Sequence, residues 1–425
     1  MHLDWISVTD SMVMEIGRHG FRPTLKPYFQ PIYMAAKLIS TGFRHTTLPE
    51  NYVRPPSDRP CLSDVSPLKD FPIIDLASTD RSRLVQQIHQ ACSRFGFFQV
   101  INHRVSKETI DGMVSVANEF FSMSMEEKMK LYSDDPTKTT RLSTSFNVKK
   151  EAVNNWRDYL RLHCYPISKY VHEWPSSPLS FNTYSSGFNK LPEGIERFEY
   201  FPNCMWFVVR RYLNSDWFMA YRENPIRNPE KRREIVSRYS TEVRELGFTI
   251  EELISESLGL EKDHMRKVLG EQGQHMAVNY YPPCPEPELT YGLPAHTDPN
   301  ALTILLQDAT VCGLQILIDG QWFAVNPCPD AFVINIGDQF QALSNGVYKS
   351  VWHRAVTNTE KPRLSVASFL CPADCAIISP AKPLWETEED EAKPIYRDYT
   401  YAEYYKKFWS RNLDQEHCLE NFLNH

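Results

Sequence analysis

Short runs of apolar and β-branched residues, separated by turn residues, dominate the last third of the chain. Four of these runs are ALTILLQ at 301–307, GLQILI at 313–318, FVINI at 332–336 and RLSVASFL at 363–370. Glycine, asparagine, aspartate and proline lie between them, as in Asp319-Gly320 and Asn345-Gly346. Many short strands divided by turns are typical of a β-sandwich or barrel, and the double-stranded β-helix, or jelly roll, is one such fold.

A different spacing, with apolar residues three or four positions apart, predicts helices elsewhere in the chain. One helix carries Leu84, Ile88 and Phe95, with Ser78 or Thr79 as its N-cap and Gly96 as its end. Strands are predicted on either side of it, at 71–76 and 97–101. Further helices are predicted at 106–121, from Ser124 onward, at 235–258 with an interruption at Gly247, and at 401–411.

Composition narrows the class of protein. The chain has 425 residues, of which 42% are hydrophobic, and this is enough to bury a large core. A net charge of −7 without a long basic run argues against nucleic acid or an anionic membrane as a partner. Ten cysteines without a CxxC pair favour reduced thiols over a disulfide framework. With no signal-peptide pattern and no apolar span, we expect a cytoplasmic protein. We also expect it to be a monomer.

One ordered set of polar residues lies within the predicted strands. His296 and Asp298 form a His-x-Asp motif, His353 follows 55 residues after Asp298 (353 − 298), and Arg363 and Ser365 come soon after it. Two imidazoles and one carboxylate on one face of a metal ion leave three coordination positions open, as non-haem Fe(II) oxygenases require. A guanidinium beyond the metal indicates a co-substrate with a remote carboxylate. The set therefore predicts a 2-oxoglutarate- and Fe(II)-dependent oxygenase.

Each part of this motif, taken alone, is weak evidence for a metal site. His2-Leu3-Asp4 repeats His-x-Asp, and Arg-x-Ser occurs four times. A lone histidine is more often a satisfied core or surface residue than a ligand. The order of the residues within strand-like sequence is what favours a metal site over a barrel without one.

Four motifs resemble the signature of plant soluble 2-oxoglutarate/Fe(II) dioxygenases: NYYPPC at 279–284, HTD at 296–298, WHR at 352–354 and RLS at 363–365. The resemblance covers about residues 34–181 and 234–425. The stretches WRDYLRLH at 156–163 and YGLPAH at 291–296 are most similar to the salicylate hydroxylases of the downy-mildew-resistance group. Flavone synthase I and flavanone 3-hydroxylase-like enzymes are related to that group.

The resemblance implies a mixed α and β fold, with a jelly-roll core, a helical N-terminal domain and a C-terminal helix. It implies that Fe(II) is held by His296, Asp298 and His353. It also implies that 2-oxoglutarate is bound by four further residues: Arg363, Ser365, Tyr281 and Asn279. O₂ would take the remaining iron position, ascorbate would keep the iron reduced, and 2-oxoglutarate would be decarboxylated to succinate.

The expected substrate is a small aromatic molecule, with salicylate hydroxylated to a dihydroxybenzoate as the first choice and a flavonoid as the alternative. An aromatic carboxylate needs a cation and a flat apolar wall, and the candidates are Arg141, Trp156 and Phe369. Phe369 lies on the same side of a period-two strand as Arg363. A solvated arginine and two core aromatics are equally compatible with the sequence. Trp409 is interpreted as a docking anchor of the C-terminal helix.

The resemblance divides the chain into six parts. We expect an atypical N-terminal extension at 1–33, an N-terminal dioxygenase domain at 34–181, an atypical insertion at 182–233, connecting helices at 234–272, the Fe(II)/2-oxoglutarate jelly-roll domain at 273–372 and a C-terminal helical segment at 373–425. Between Phe198 and Tyr221 the insertion has nine aromatics in 24 residues, which is not the composition of a disordered linker.

Two departures from the family pattern affect these expectations. The insertion is interpreted as unspliced or mispredicted coding sequence without an evolved function. Its aromatic residues would either pack as a lid or form an exposed apolar patch. If it blocks the pocket, the chain is instead a catalytically impaired jelly-roll binding protein. Arg104 stands where the resemblance leads us to expect glycine. If that position needs a positive φ, arginine there costs about 1–2 kcal/mol.

Overall fold

The computed structural model describes residues 37–42, 44–146, 148, 150–175, 229–385, 394–411 and 417–424, with the backbone alone for 229–234. The predictions for 1–33 and for 182–228 lie outside the described residues.

Two β-sheets form the centre of the protein. The strands are β1 (Ser66–Pro67), β2 (Ile73–Asp75), β3 (Phe97–Ile101), β4 (Arg141–Thr144), β5 (Asp158–Tyr165), β6 (Gly273–Tyr281), β7 (Leu293–His296), β8 (Leu302–Leu306), β9 (Leu314–Ile318), β10 (Gln321–Ala324), β11 (Phe332–Ile336), β12 (His353–Ala355), β13 (Arg363–Cys371), β14 (Ile377–Ile378) and β15 (Tyr399–Thr400). The larger sheet has the order β2-β3-β11-β8-β13-β6-β5-β4, and the smaller one β1-β10-β9-β12-β7. Strands β14 and β15 form a separate pair.

The two main sheets pack against each other through apolar side chains. Phe97 and Val333 from the larger sheet form one buried cluster with Leu314 and Ile316 from the smaller sheet. Every residue of β11 is buried, which explains its continuous apolar sequence. All four predicted strand runs are confirmed, as β8, β9, β11 and β13. Their separation by turns produces the predicted jelly-roll core.

Helices flank the two sheets. They are α1 (Arg81–Arg94), α2 (Lys107–Phe121), α3 (Met125–Met129), α4 (Ile167–Tyr170), α5 (Pro229–Ser257), α6 (His264–Leu269), α7 (Asp338–Leu343) and α8 (Tyr401–Ser410). Helix α5 packs against α1 and α2. Leu246 and Ile250 of α5 share one buried core with Val278 of β6 and Ile304 of β8. The central strands are therefore buried on both faces. Among the described residues, no helix is both long and apolar enough to cross a membrane.

Two details of the predicted helices are wrong. The N-cap of α1 is Asp80, whose side chain accepts a hydrogen bond from the backbone N–H of Arg83, and not Ser78 or Thr79. Helix α5 runs through Gly247 without interruption. A Cβ at Gly247 would lie 2.3 Å from Cδ1 of Leu370 in β13, so this glycine lets the helix approach the sheet closely.

The turn after β3 has an uncommon backbone conformation. Asn102 has a φ of 54° and Arg104 a φ of 66°. Asn102 tolerates this region because its short amide bonds locally, and its side chain donates to Asp75. Arg104 also has a positive φ, and no local hydrogen bond of its side chain is found in the described part of the chain, so the backbone strain expected from its sequence position is present.

Candidate metal and co-substrate site

Three predicted ligands converge between β7 and β12. These strands pair antiparallel, and their register places His353 directly across from His296. Asp298 follows β7 by two residues, and its Oδ1 lies 3.7 Å from Nε2 of each histidine. One ligand atom from each residue lies within 4.8 Å of the others, and all three residues are buried. Among the described residues this is the one cluster of at least three such groups that could hold a metal ion.

Hydrogen bonds orient both imidazole rings. Nδ1 of His296 bonds the carbonyl oxygen of Pro294 at 2.9 Å, and Nδ1 of His353 bonds that of Val351 at 3.1 Å. Because a carbonyl only accepts, each Nδ1 must carry the proton. Each Nε2 then keeps a free lone pair directed at the shared point. This is the ligand orientation that metal-binding histidines have.

The carboxylate of Asp298 is fixed by two residues that the sequence analysis did not identify. Its Oδ2 accepts from Oγ1 of Thr303 at 2.6 Å and from Nδ2 of Asn335 at 2.7 Å. Thr303 lies on β8 and Asn335 on β11, so the larger sheet holds a ligand that follows a strand of the smaller one. Oδ1 is left for a metal ion.

The protonation states suit a divalent cation. Burial and the neighbouring His353 lower the pKa of His296 to about 3, so its imidazole is neutral at physiological pH. Burial alone raises the pKa of Asp298, but the two histidines and the Thr303 and Asn335 hydrogen bonds outweigh it and lower the pKa. Two imidazole nitrogens and one carboxylate oxygen match the donor set that Fe(II) takes in oxygenases.

The four predicted co-substrate residues line one cavity with the metal ligands. Strands β13 and β6 pair so that Arg363 lies across from Tyr281 and Ser365 across from Asn279. The guanidinium carbon of Arg363 lies 5.2 Å from the centre of the Tyr281 ring. Arg363 is 2% exposed, and its Nε is buried without a hydrogen-bond partner in the described part of the chain. A buried cation with unused donors needs an anion, and the carboxylate of 2-oxoglutarate fits that need.

A glycine makes room for this arginine. A Cβ built on Gly313 would lie 2.7 Å from Cδ and 2.8 Å from Nε of Arg363, and 3.0 Å from the carbonyl oxygen of Val356. These distances are shorter than van der Waals contact allows. Arg363 can therefore occupy its position only because residue 313 is glycine and has no side chain.

Arg157 is a cavity residue that the sequence analysis did not identify. It borders the co-substrate cavity and the neighbouring outer one. Its Nη1 donates to Oδ1 of Asn279 at 3.2 Å, and its Nη2 donates to the carbonyl oxygen of Ser145 at 2.7 Å. Arg157 lies in the WRDYLRLH stretch at 156–163, which resembles the salicylate hydroxylases but has no metal-ligand or co-substrate pattern of its own. The hydrogen bond from Arg157 orients the side-chain amide of Asn279.

The outer cavity continues from the metal ligands towards the C-terminal helix. His296, Asp298 and Phe369 border both cavities, and the outer one is also bordered by Arg141. Phe369 lies on the same face of β13 as Arg363, as the period-two pattern predicts. Trp409 of α8 stacks on Phe146, with ring centres 5.0 Å apart and planes 6° apart. It docks the helix, as expected, and also closes one side of the cavity.

The structure does not bring Trp156 to this cavity. Its side chain is fully buried in a separate cluster with Ile39, Tyr52 and Cys284. Its indole N–H donates to the carbonyl oxygen of Pro282 at 3.0 Å. The expected substrate contact from Trp156 is therefore corrected to a structural role, which the sequence left equally open.

Comparisons with known families agree with this geometry. The model of the 2OG-Fe(II) oxygenase superfamily matches residues 272–372. A second model, described as the non-haem dioxygenase in morphine synthesis N-terminal domain, matches residues 71–177. The first match contains every predicted metal and co-substrate residue.

Individual relatives match almost the whole chain. Protein DOWNY MILDEW RESISTANCE 6 of Arabidopsis thaliana is 77% identical over 391 residues, which cover 92% of this chain and 100% of that protein. Flavanone 3-dioxygenase 2 of Oryza sativa subsp. japonica is 55% identical over 386 residues, covering 91% and 97%.

A solved structure has the same fold. The crystal structure of JOX2 in complex with 2OG, Fe and JA superimposes with a TM-score of 0.69 at 31% identity. The match covers 91% of this chain and 96% of that one. That protein was crystallised with Fe and 2OG, and the donor set described above suits both of them.

Proposed function

The chain belongs to the 2OG-Fe(II) oxygenase superfamily, and on this premise we propose that it hydroxylates salicylate to a dihydroxybenzoate. It is a dioxygenase that depends on Fe(II) and 2-oxoglutarate and consumes O₂. When bound, these groups supply the oxidising chemistry, in which one oxygen atom enters the substrate and the other enters succinate, with release of CO₂. The proposal extends this activity to a particular substrate.

We assign the site residues as follows. His296, Asp298 and His353 hold Fe(II), since they converge with free lone pairs. Arg363 binds the distal carboxylate of 2-oxoglutarate through its planar fork, and Ser365 and Tyr281 add hydroxyl groups on the same wall. Asn279, held by Arg157, supports the chelating end of the co-substrate.

The observation that carries the choice of substrate is the outer cavity. It touches His296 and Asp298, has a flat aromatic wall at Phe369 and contains the buried cation Arg141. A planar ring with a carboxylate satisfies both the apolar wall and the cation. The 77% identity to DOWNY MILDEW RESISTANCE 6 and the resemblance to the salicylate hydroxylases support the same choice.

The test is direct turnover. Purified protein is incubated with Fe(II), ascorbate, 2-oxoglutarate and salicylate, and the products are separated by liquid chromatography with mass detection. We expect a dihydroxybenzoate and succinate in equal amounts. A flavonoid is the second candidate, because the chain is 55% identical to Flavanone 3-dioxygenase 2. Conversion of naringenin without conversion of salicylate would establish that alternative.

We also propose the division of the chain made above, in which 182–233 is an insertion without an evolved function. Intact mass of the native protein decides whether these residues are present. Decarboxylation of 2-oxoglutarate without substrate is then compared in the 425-residue chain and in a version that lacks 182–233. Activity in the shorter version alone would mean that the insertion blocks the site and the longer chain is impaired. We also propose that the protein is cytoplasmic and monomeric. Cell fractionation tests its location, and the mass of the native protein tests its oligomeric state.

A further inference from the structure

Two arginines lie directly across from each other in the wall of the outer cavity. Strands β4 and β5 pair so that Arg141 and Arg161 are register partners, and both border the cavity. Like charges directly opposite on neighbouring strands destabilise a sheet. Such a pair is expected where a bound anion compensates for its charge.

Within the protein, both arginines are satisfied only in part. Arg141 donates to the hydroxyl of Tyr159 at 2.7 Å and to the carbonyl oxygen of Ser133 at 3.5 Å. Arg161 donates to Nε2 of His163 at 3.0 Å and to the carbonyl oxygen of Pro136 at 3.2 Å. None of these partners is a carboxylate, and burial lowers the pKa of His163 to about 4, so its ring carries no compensating charge. The Nε atoms of Arg141 and Arg161 are both buried without a hydrogen-bond partner. Each guanidinium therefore keeps an unused donor.

The cavity offers these arginines no acid of its own. None of the ion pairs found among the described residues includes Arg141 or Arg161. Arg141 is 4% exposed, and burial, together with Arg161 and Arg157, lowers its pKa. The charge of Asp135 raises the pKa of Arg141, but Asp135 is exposed at the surface. Asp298 is the carboxylate in the cavity lining, and it is directed at the metal position.

We propose that Arg141 and Arg161 together form the subsite that binds the substrate's carboxylate. This inference rests on the proposed function and adds the residues that select the substrate. Arg157 also borders the cavity, but its Nε, Nη1 and Nη2 all donate to Asn279 or Ser145, whereas the Nε atoms of Arg141 and Arg161 have no acceptor among the described residues. The two remaining arginines present a pair of guanidinium groups, the arrangement that favours a planar carboxylate over a neutral group.

The aromatic groups around the subsite determine the shape of its ligand. Phe369 contacts the ring of His275, with centres 5.0 Å apart, and borders the same cavity as the arginine pair and the metal ligands. The stacked pair of Phe146 and Trp409 borders the same cavity. A benzoate-type anion, flat and with one carboxylate, meets both requirements. A neutral flavanone would leave the arginine charges uncompensated.

The test compares salicylate with salicylamide, which has the same ring but no charge. For the full chain we expect kcat/KM to favour salicylate by about 10- to 100-fold, as charge-assisted hydrogen bonds predict. In Arg141→Gln and Arg161→Gln the KM for salicylate should rise about 10-fold or more, and the double variant should lose the preference over salicylamide. The KM for 2-oxoglutarate should change far less. Arg141→Lys, which keeps the charge without the fork, should be intermediate.

Arg83→Gln is the matched control, because Arg83 is exposed on α1 and lies outside both cavity linings. Melting temperatures show whether each variant folds, and salicylate binding by tryptophan fluorescence gives a readout independent of turnover. A folded double variant that still prefers salicylate overturns the subsite and leaves the proposed function intact. Binding that depends on the two arginines without hydroxylation supports the subsite and overturns the proposed function. Absence of salicylate binding to the unmodified protein overturns both.

Discussion

Replacing Gly313 by alanine adds one methyl group next to the arginine that we assign to 2-oxoglutarate. The new Cβ would lie 2.7 Å from Cδ and 2.8 Å from Nε of Arg363, with the backbone oxygen of Val356 3.0 Å away on another side. The backbone moves less readily than the side chain, so Arg363 is the group that must shift. Gly313→Ala therefore displaces the guanidinium and leaves the metal ligands in place.

The size of the effect follows from the hydrogen bonds at risk. A hydrogen bond to a charged group contributes about 1.5–3 kcal/mol. Loss of one such bond between Arg363 and the distal carboxylate raises the KM for 2-oxoglutarate by about 10- to 150-fold, since 1.36 kcal/mol corresponds to a factor of ten. The affinity for Fe(II) should stay within about twofold, because the three atoms nearest to the added methyl group belong to Arg363 and Val356 and not to a metal ligand.

The assay measures succinate formation against 2-oxoglutarate concentration, with Fe(II) affinity determined separately. Gly273→Ala is the matched control, because a Cβ there has no neighbour within 4 Å and the residue has no positive φ. An unchanged KM in Gly313→Ala would refute the placement of the co-substrate against Arg363. An equal rise in Gly273→Ala would refute the steric explanation.

Four further predictions follow from the described contacts. Arg363→Lys should raise the KM for 2-oxoglutarate about 10-fold with a smaller change in kcat, because an ammonium lacks the bidentate fork; steady-state kinetics with an unchanged KM would exclude the assignment. Thr303→Val should weaken Fe(II) binding about 10- to 100-fold by removing a donor to Asp298, and a metal titration that gives equal affinities would contradict this. Arg104→Gly should raise the melting temperature by about 1–2 °C through relief of the strained φ, whereas Arg104→Ala, which keeps the strain, should not. Burial raises the pKa of Glu251 from 4.5 to about 7, so the folded state keeps a proton that the unfolded state loses between these values, and stability falls by about 3 kcal/mol as the pH rises from 4.5 to 7. Glu251→Gln should flatten the dependence of unfolding free energy on pH between 4.5 and 7, and parallel curves would contradict the assignment.

The strands and helices with strong periodicity could be predicted from local sequence. Strand β11 and helix α2 lie where the apolar spacing places them, since each buries the face that its pattern defines. The N-cap at Asp80 and the continuous helix through Gly247 could not be predicted. Asp80 was missed because several neighbouring residues can cap a helix, and Gly247 because its role depends on Leu370, which is distant in the chain.

The chemistry of the site was determined by the sequence, because the residue types and their order already specify the donors for Fe(II) and for a carboxylate. Only the tertiary structure decided which side chains share the cavity. It paired His353 with His296, placed Thr303 and Asn335 against Asp298, and aligned Arg141 with Arg161. It also removed Trp156 from the site. Strand register and sheet packing set these positions, and both depend on contacts between residues far apart in the chain that no local pattern records.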